Sequence, residues 1–510
     1  MVRTWNHWTM ETGVLILLIV YLIYRYMTRN FGYWKARGVV CVSPSPFFGS
    51  FGDFLMGRKS VGGFLWDVYN YSKDAPYVGF FGFDKPMLLV RDPGLIKQIL
   101  IKDFDYFKDR YADAGAHDVL GSANLFIIKN PQWKYLRTKM SPIYTSGRLR
   151  KMVKLMAEVG EDLVTHIDSL NLRESGRTIE VKELCAKFAT DMIATTAFGM
   201  RANCLNNPDA EFRKYGKEVF QHTFYRSVEQ ISTFFAPFLM TPLKFNIFSK
   251  RVSKFLRSAL WEAITNREKC GVKRHDLIDL LIELKNQDVN NPDKSIFAFE
   301  GDNIVAQAAV FFTAGFETSS TPLSFTLYEL ALHPKIQDRL RKEITDAVEE
   351  SGGEITYDMI VKLPYLDMVL SESLRKYPPL PILDRVADSD YRVPGSDLVI
   401  EKGTPVFVSL FGLHYDPKYH ENPEKFDPER FSDANKETTK KAWYAFGDGP
   451  HVCIGLRLGL LQSKMGLISI LQKYEVYPCE KTAIPMKFHT QGLMTSAAGG
   501  LYLNIKKIKN

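Results

Sequence analysis

The sequence predicts a mainly α protein with small β-sheets. It is built as a single large domain over residues 53–510, behind an N-terminal membrane anchor at residues 1–29 and a basic, proline- and glycine-rich hinge at residues 30–52. Three observations carry this prediction. Apolar residues recur at helical spacing from about residue 94 to 380. Strand-and-turn signals are confined to short stretches before and after that run. One apolar segment close to the N-terminus is followed by a cluster of arginine and lysine.

Bulk composition supports a packed core. Of 510 residues, 45% are hydrophobic and 13% aromatic, and the 24% that are charged are too few for a disordered chain. The net charge of +8 is spread along the sequence, which excludes the one-sided footprint of a nucleic-acid binder. It leaves room for a basic patch toward a membrane surface or an acidic partner. Cys41, Cys185, Cys204, Cys270, Cys453 and Cys479 form no CxxC pair. Neither a zinc cluster nor a dense disulfide framework is indicated, and reduced, cytosol-facing thiols are expected.

The anchor is the segment WTMETGVLILLIVYLIYRYMTRN, apolar from Thr12 to Tyr24. Counting the interfacial aromatics from Trp8 to Tyr26 brings it close to the ~20 residues that a span requires. Arg25, Arg29, Lys35 and Arg37 follow it, against Arg3 and Glu11 before, so the positive-inside rule leaves the C-terminal bulk on the cytosolic face. A cleaved secretory signal would end in small residues, which YRYMTRNFGYWKARG lacks, and a mitochondrial presequence would be Arg-rich and amphipathic.

VSPSPFFGSFGDF forms the hinge, and YVGFFGFDKPMLLV reads as two short strands around a turn. After the helical run, DYRVPGSDLVIEKGTPVFVSL returns to strand-and-turn signals. Residues 411–450 are then irregular and rich in Pro, Asp, Lys and Asn.

The chemistry begins with AFGDGPHVCIGLRLG, residues 445–459, which sets one cysteine on a glycine-rich loop directly before a helical pattern holding Leu456, Leu460 and Leu467. A thiolate is a strong ligand for soft metals and for haem iron, and Gly447, Gly449 and Gly455 permit the close backbone approach that a flat cofactor needs. The dipole of the following helix favours the thiolate form. A glycine-flanked cysteine is also an ordinary small core residue, and a metal pair of His451 and Cys453 lacks two further ligands.

FGDGPHVCIG resembles the haem-binding loop of the cytochrome P450 family, F-x-x-G-x-R-x-C-x-G: Phe446, Gly449, Cys453 and Gly455 match, while His451 stands where the family usually has arginine. The resemblance implies Cys453 as the axial iron ligand of haem b (iron protoporphyrin IX), with Phe446, Gly447 and His451 at the cofactor. Three further motifs occur in the family's order. In VAQAAVFFTAGFETSSTPLSFTLYELALHP, Gly315, Thr318 and Pro322 each weaken one turn of a long helix; a kinked core helix would explain the first and last but not Glu317. The stretch AGFET, Ala314 to Thr318, matches the oxygen-binding helix of the family, where threonine and its neighbouring acid help deliver protons to dioxygen. In SESLRKYPP, Glu372 and Arg375 share a helix face, as any solvated ion pair would. With Arg430 of FDPERF they match the family's buried triad. In QWKYLRTKMSP, Trp133 and Arg137 match the family's W-x-x-x-R donors to the haem propionates, with Arg110 and Arg385 where related members add further donors.

These resemblances imply a haem-thiolate monooxygenase, an oxidoreductase of the endoplasmic reticulum membrane with its catalytic domain on the cytosolic face. It inserts one oxygen atom of O2 into a lipophilic small molecule. No flavin or dinucleotide fingerprint occurs, so electrons from NADPH are expected through a separate cytochrome P450 reductase, with cytochrome b5 as a further donor. SPIYTSGRLRKM and AGFETSS are similar to insect microsomal members that oxidise xenobiotics such as plant toxins or insecticides. An endogenous lipid or hormone is the alternative substrate, and a reductase-independent isomerase or dehydratase the remote alternative reaction. By place in the family, Phe126, Val310, Ala314, Leu380, Leu493 and Met494 are the candidate substrate-pocket residues.

Overall fold

The computed structural model describes residues 2–221, 223–288 and 295–508. Its contacts divide the chain into two compact units, one of residues 1–111 with 382–412 and one of residues 112–381 with 413–510.

The smaller unit carries the N-terminal helix Val2–Thr28, whose segment Glu11–Thr28 has a mean hydropathy of 1.4 and buries nothing. That is long and apolar enough to cross a membrane. Strands Tyr77–Gly82 and Lys85–Val90 form the expected hairpin, with a two-residue turn in which Phe83 takes φ 58°. Pro405–Ser409 joins the second strand in parallel, and Ile382–Val386 completes the four-stranded sheet on its far side. The stretch read as a hinge is folded onto this sheet. Trp34 is 1% exposed and donates from its indole to the Phe80 carbonyl at 3.2 Å, while Val40 and Val42 bond to either side of Gly79. Only glycine fits at position 79, since a Cβ there would meet the indole of Trp34 at 2.5 Å.

The larger unit is helical. Its centre is the long helix Gly301–Leu332, largely apolar and buried on most of its surface. Helices Val181–Ile193, Pro364–Lys376 and Leu456–Leu471 pack on it. Gly315 is a weak point of this helix by residue type. The structure adds a packing reason, because a Cβ at Gly315 would lie 2.6 Å from Ile193 of the neighbouring helix. A three-stranded sheet in the order Arg177–Glu180, Tyr502–Lys507, Tyr474–Tyr477 was not marked in the sequence.

Candidate active site

The cysteine loop is shaped by its own backbone. The Cys453 amide donates to the Phe446 carbonyl at 2.9 Å, and the Gly447 amide to the Tyr444 carbonyl at 2.8 Å. Gly447 and Gly449 sit at φ 71° and 69°, a region that side chains rarely adopt. Helix Leu456–Leu471 begins three residues after Cys453, with Gly455 at its N-cap. Cys453 is exposed, so its sulfur stands at the positive end of a helix dipole and open to an incoming group. Among the described residues no two cysteines form a disulfide.

Helix Gln132–Met140 grips this loop. The Trp133 indole stacks on the His451 imidazole with ring centroids 3.8 Å apart, and Arg137 donates to the Val452 carbonyl at 2.8 Å. Both motif residues therefore brace the backbone beside Cys453, a role the spacing alone does not disclose. His451 is 8% exposed, packed against the indole. Tyr144 is a neighbour that sequence reasoning missed. Burial, and behind it the Cys453 thiolate, push its phenol well above the ordinary range. Its ring stacks on Phe311 of the long helix at 5.7 Å, placing that helix and the cysteine loop around one tyrosine.

Glu372 and Arg375, both fully buried, form a two-pronged ion pair at 2.7 and 2.9 Å. Arg430 reaches Glu372 at 3.4 Å, so the triad assembles. The network then runs through His414, which the sequence reading also missed. Arg375 donates to the His414 carbonyl at 2.6 Å, and His414 Nδ1 bonds back to the Arg375 carbonyl at 2.9 Å. Its Nε2 accepts the Tyr444 amide at 3.1 Å, only two residues before Phe446. Accepting at Nε2 assigns the ring proton to Nδ1 and requires a neutral ring.

Burial, His420 and Arg375 hold the His414 pKa well below the usual histidine value, and burial with Arg375 and Arg430 lowers His420 to about 3. Both groups stay neutral in the folded state while the unfolded chain takes up protons below ~6.5. Stability is therefore full above that pH and declines as pH falls toward 3, by ~1.4 kcal/mol per unit for each histidine. Urea midpoints measured from pH 7.5 to 5 should fall, and His414→Gln, which retains an acceptor for Tyr444, should flatten the slope.

The long helix presents one open stripe. From Ile304 to Ala331 every residue is buried except Val310, Ala314, Gly315 and Thr318. Positions 310, 314 and 318 recur every four residues and so lie on one face. The Thr318 hydroxyl donates back to the Ala314 carbonyl at 2.5 Å, as expected for a threonine at that spacing. Glu317 points elsewhere, into an ion pair with Lys182 at 2.8 Å; Lys182 also donates to the hydroxyls of Ser320 and Thr321. Next to Thr318, the Ser319 hydroxyl donates to Gln462 at 2.9 Å and the Ser319 carbonyl accepts from Ser463, which ties the long helix to the helix that follows Cys453.

The pocket candidates fall into two groups within this unit. Phe126 is half-buried, its ring 6.1 Å from Phe234. Leu380 and Met494 are half-buried and Leu493 is 9% exposed. Thr495 donates from its amide to the Pro379 carbonyl and from its hydroxyl to Pro378, so the C-terminal turn and the segment after the ExxR helix meet.

In the smaller unit, Arg110 pairs with Asp384 at 3.1 Å and Arg385 donates to the Asp384 carbonyl. Arg385 is 3% exposed, and its Nε has no hydrogen-bond partner among the described residues. Burial and the adjacent Arg110 push its pKa down to about 9. Arg110 meets the Asp384 carboxylate while Arg385 reaches its backbone carbonyl, so the buried Arg385 charge is in a setting that suits a carboxylate-bearing ligand. In the larger unit, the exposed Cys453 on its glycine loop suits a thiolate-held group such as haem, and the described residues contain no group of His, Cys, Asp and Glu suited to a bare metal ion.

Comparison with known proteins agrees. A family profile described as Cytochrome P450 matches residues 42–503. Cytochrome P450 6k1 of Blattella germanica is 46% identical, covering 97% of this chain and 96% of its own length. Cytochrome P450 6j1 of the same organism is 40% identical over 96% of each chain. Probable cytochrome P450 6g2 of Drosophila melanogaster is 41% identical over 96% of this chain and 98% of its own length. The chain belongs to the cytochrome P450 family of haem monooxygenases.

Proposed function

We propose that the protein is a membrane-anchored monooxygenase of lipophilic foreign compounds at the cytosolic face of the endoplasmic reticulum. It receives electrons from NADPH through a separate reductase, with cytochrome b5 as an additional donor. The observation that carries this reading is the open stripe Val310–Ala314–Thr318 on a helix that is otherwise buried along its middle. Two small or apolar side chains and one hydroxyl line it, which suits a greasy substrate held beside a single proton-handling group.

Cys453 would hold haem through its sulfur, with Trp133, Arg137 and His451 bracing the loop to which Phe446 and Gly447 also belong. When bound, haem supplies the activation and splitting of dioxygen, which thiolate donation favours. The protein's part is positional. Val310, Ala314 and Phe126 offer an apolar wall that excludes water from the substrate. The Thr318 Oγ1 can accept a proton on its lone pairs and pass its own onward. Lys182 holds Glu317, the adjacent residue, in an ion pair directed away from the stripe. Arg110 and Arg385 remain assigned to propionate charge by family resemblance, and Glu372, Arg375 and Arg430 to support of the cysteine loop.

Replacing Thr318 with alanine should leave haem content unchanged and raise hydrogen peroxide formed per NADPH several-fold, since proton delivery loses its hydroxyl. An unchanged ratio ends that assignment. For the function as a whole, the protein is combined with reductase and NADPH and given a mixed panel of plant toxins, insecticides, fatty acids and steroids. Depletion of the foreign compounds is expected. Depletion confined to the fatty acids or steroids would assign an endogenous substrate, and turnover of lipid peroxides without NADPH would assign isomerase or dehydratase chemistry.

A further inference from the structure

We infer that Gln307 is a positioning residue that sets selectivity in the substrate pocket, by pinning the loop that carries Phe126 to the long helix. The inference rests on the pocket reading given above. Gln307 is fully buried in an apolar stretch of the helix, a costly place for an amide unless each polar atom is used. Each one is. Its Oε1 accepts the Leu125 amide at 3.0 Å, and its Nε2 donates to the Ala123 carbonyl at 2.8 Å and to the Asn303 carbonyl at 3.1 Å. One side chain thus reads the backbone on both sides of Asn124, as a neighbouring strand would.

Asn124 completes the clamp from within. It is 2% exposed, donates to the carbonyls of Leu120 and Gly121, and accepts the amides of Phe126 and Ile127 at 2.9 and 3.2 Å. The Phe126 backbone therefore has almost no freedom, although it belongs to a connection with little regular structure. The placement of Gln307 supplies the link to substrate. It precedes Val310, Ala314 and Thr318 by three, seven and eleven residues, so all four lie on one helix face. The residue that ties the loop to the helix is the buried end of the same stripe that lines the pocket, and its amide bonds the loop backbone on both sides of Asn124.

The test uses the haem-loaded, full-length protein and two nitrogenous probes that report binding by a shift of the haem band: imidazole, which is small, and clotrimazole, which is bulky. The readout is the ratio of their Kd values, together with hydrogen exchange of the peptide covering residues 120–128. In wild type, that peptide should exchange slowly. Gln307→Met keeps the side-chain length but removes all three bonds. It should leave the thiolate-type CO band and imidazole Kd unchanged, speed exchange of 120–128, and alter the Kd ratio by roughly tenfold. Phe126→Ala should alter the ratio too, and the double variant should go no further than the larger single change. Gln307→Glu, whose buried carboxyl stays protonated, can keep the two loop bonds by accepting from Leu125 and donating to Ala123 while losing the one to Asn303, and should restore slow exchange and a ratio near wild type.

An unaltered ratio in Gln307→Met, with Phe126→Ala altering it, overturns the inference and leaves the pocket reading standing. Additive effects overturn it likewise. An unaltered ratio in Phe126→Ala removes Phe126 from the pocket and the inference with it. Should Gln307→Met fail to fold, fast exchange of 120–128 in wild type, or an altered ratio in Gln307→Glu, would overturn the proposal on its own.

Discussion

A Cys453→His variant is expected to lose the thiolate-type absorption band of the reduced, CO-bound protein and to fall to background in monooxygenation. The reason is local. The sulfur is exposed at the start of helix Leu456–Leu471, on a loop closed by the Cys453 amide bond to Phe446, with two positive-φ glycines that let the backbone take this course. Imidazole reaches further from the backbone than a thiol and is neutral, so it cannot supply the electron donation that a thiolate gives. The fold should survive, because residue 453 contributes little to the core. Far-UV circular dichroism and urea midpoint should match wild type while the spectrum and turnover do not. Turnover retained in this variant would remove Cys453 from the site.

The second large effect is on stability. Glu372→Gln conserves shape and removes one charge, which leaves the fully buried Arg375 guanidinium unpaired. Breaking a buried pair in this way costs ~3–5 kcal/mol, a large part of the ~5–15 kcal/mol that holds a typical domain together. Arg375 also fixes the His414 and Pro423 carbonyls, and His414 holds the Tyr444 amide, so the loss is transmitted to the cysteine loop. Purified Glu372→Gln should contain little haem and unfold at markedly lower urea. Arg339→Ala is the control: it removes an ion pair with Glu429 whose partners are 58% and 49% exposed, where less than ~1 kcal/mol is expected. Equal midpoints for the two variants would mean that burial of the Glu372 pair contributes nothing special.

Features encoded by local spacing were legible in the sequence. The cysteine loop, the long helix, the ExxR pair and the Thr318 back-bond each involve residues within a turn or a short loop, where residue type and separation determine geometry. Partners distant in the chain were not. Lys182 meets Glu317 from another helix, 135 positions earlier in number, and nothing in AGFET signals it. His414 lies in the irregular block before the cysteine loop, where no periodicity marks a buried side chain. Gln307 is one amide within an apolar run, and only its partners in the loop, at Ala123 and Leu125, reveal its use. Strand Arg177–Glu180 is short and half-exposed, and it exists because Tyr502–Lys507 returns to pair with it. His451 was read by its place in the family; its stacking on Trp133 depends on a helix more than 300 residues earlier.

The linkage through Arg375 also has a bearing on the order of assembly. Its carbonyl partners at His414 and Pro423 follow it by 39 and 48 residues, and the Asp427 amide reaches Glu372 across 55. Each contact requires closing a long loop, whose entropy is lost before any contact forms to offset it. Helices such as Pro364–Lys376 need no such closure and can form as the chain leaves the ribosome. Cys453 lies beyond all of these segments, and the Tyr444 amide bond to His414 ties the start of its loop to them. The contacts that seat the cysteine loop thus join segments far apart in the chain, and loop closure has to precede a fixed thiol.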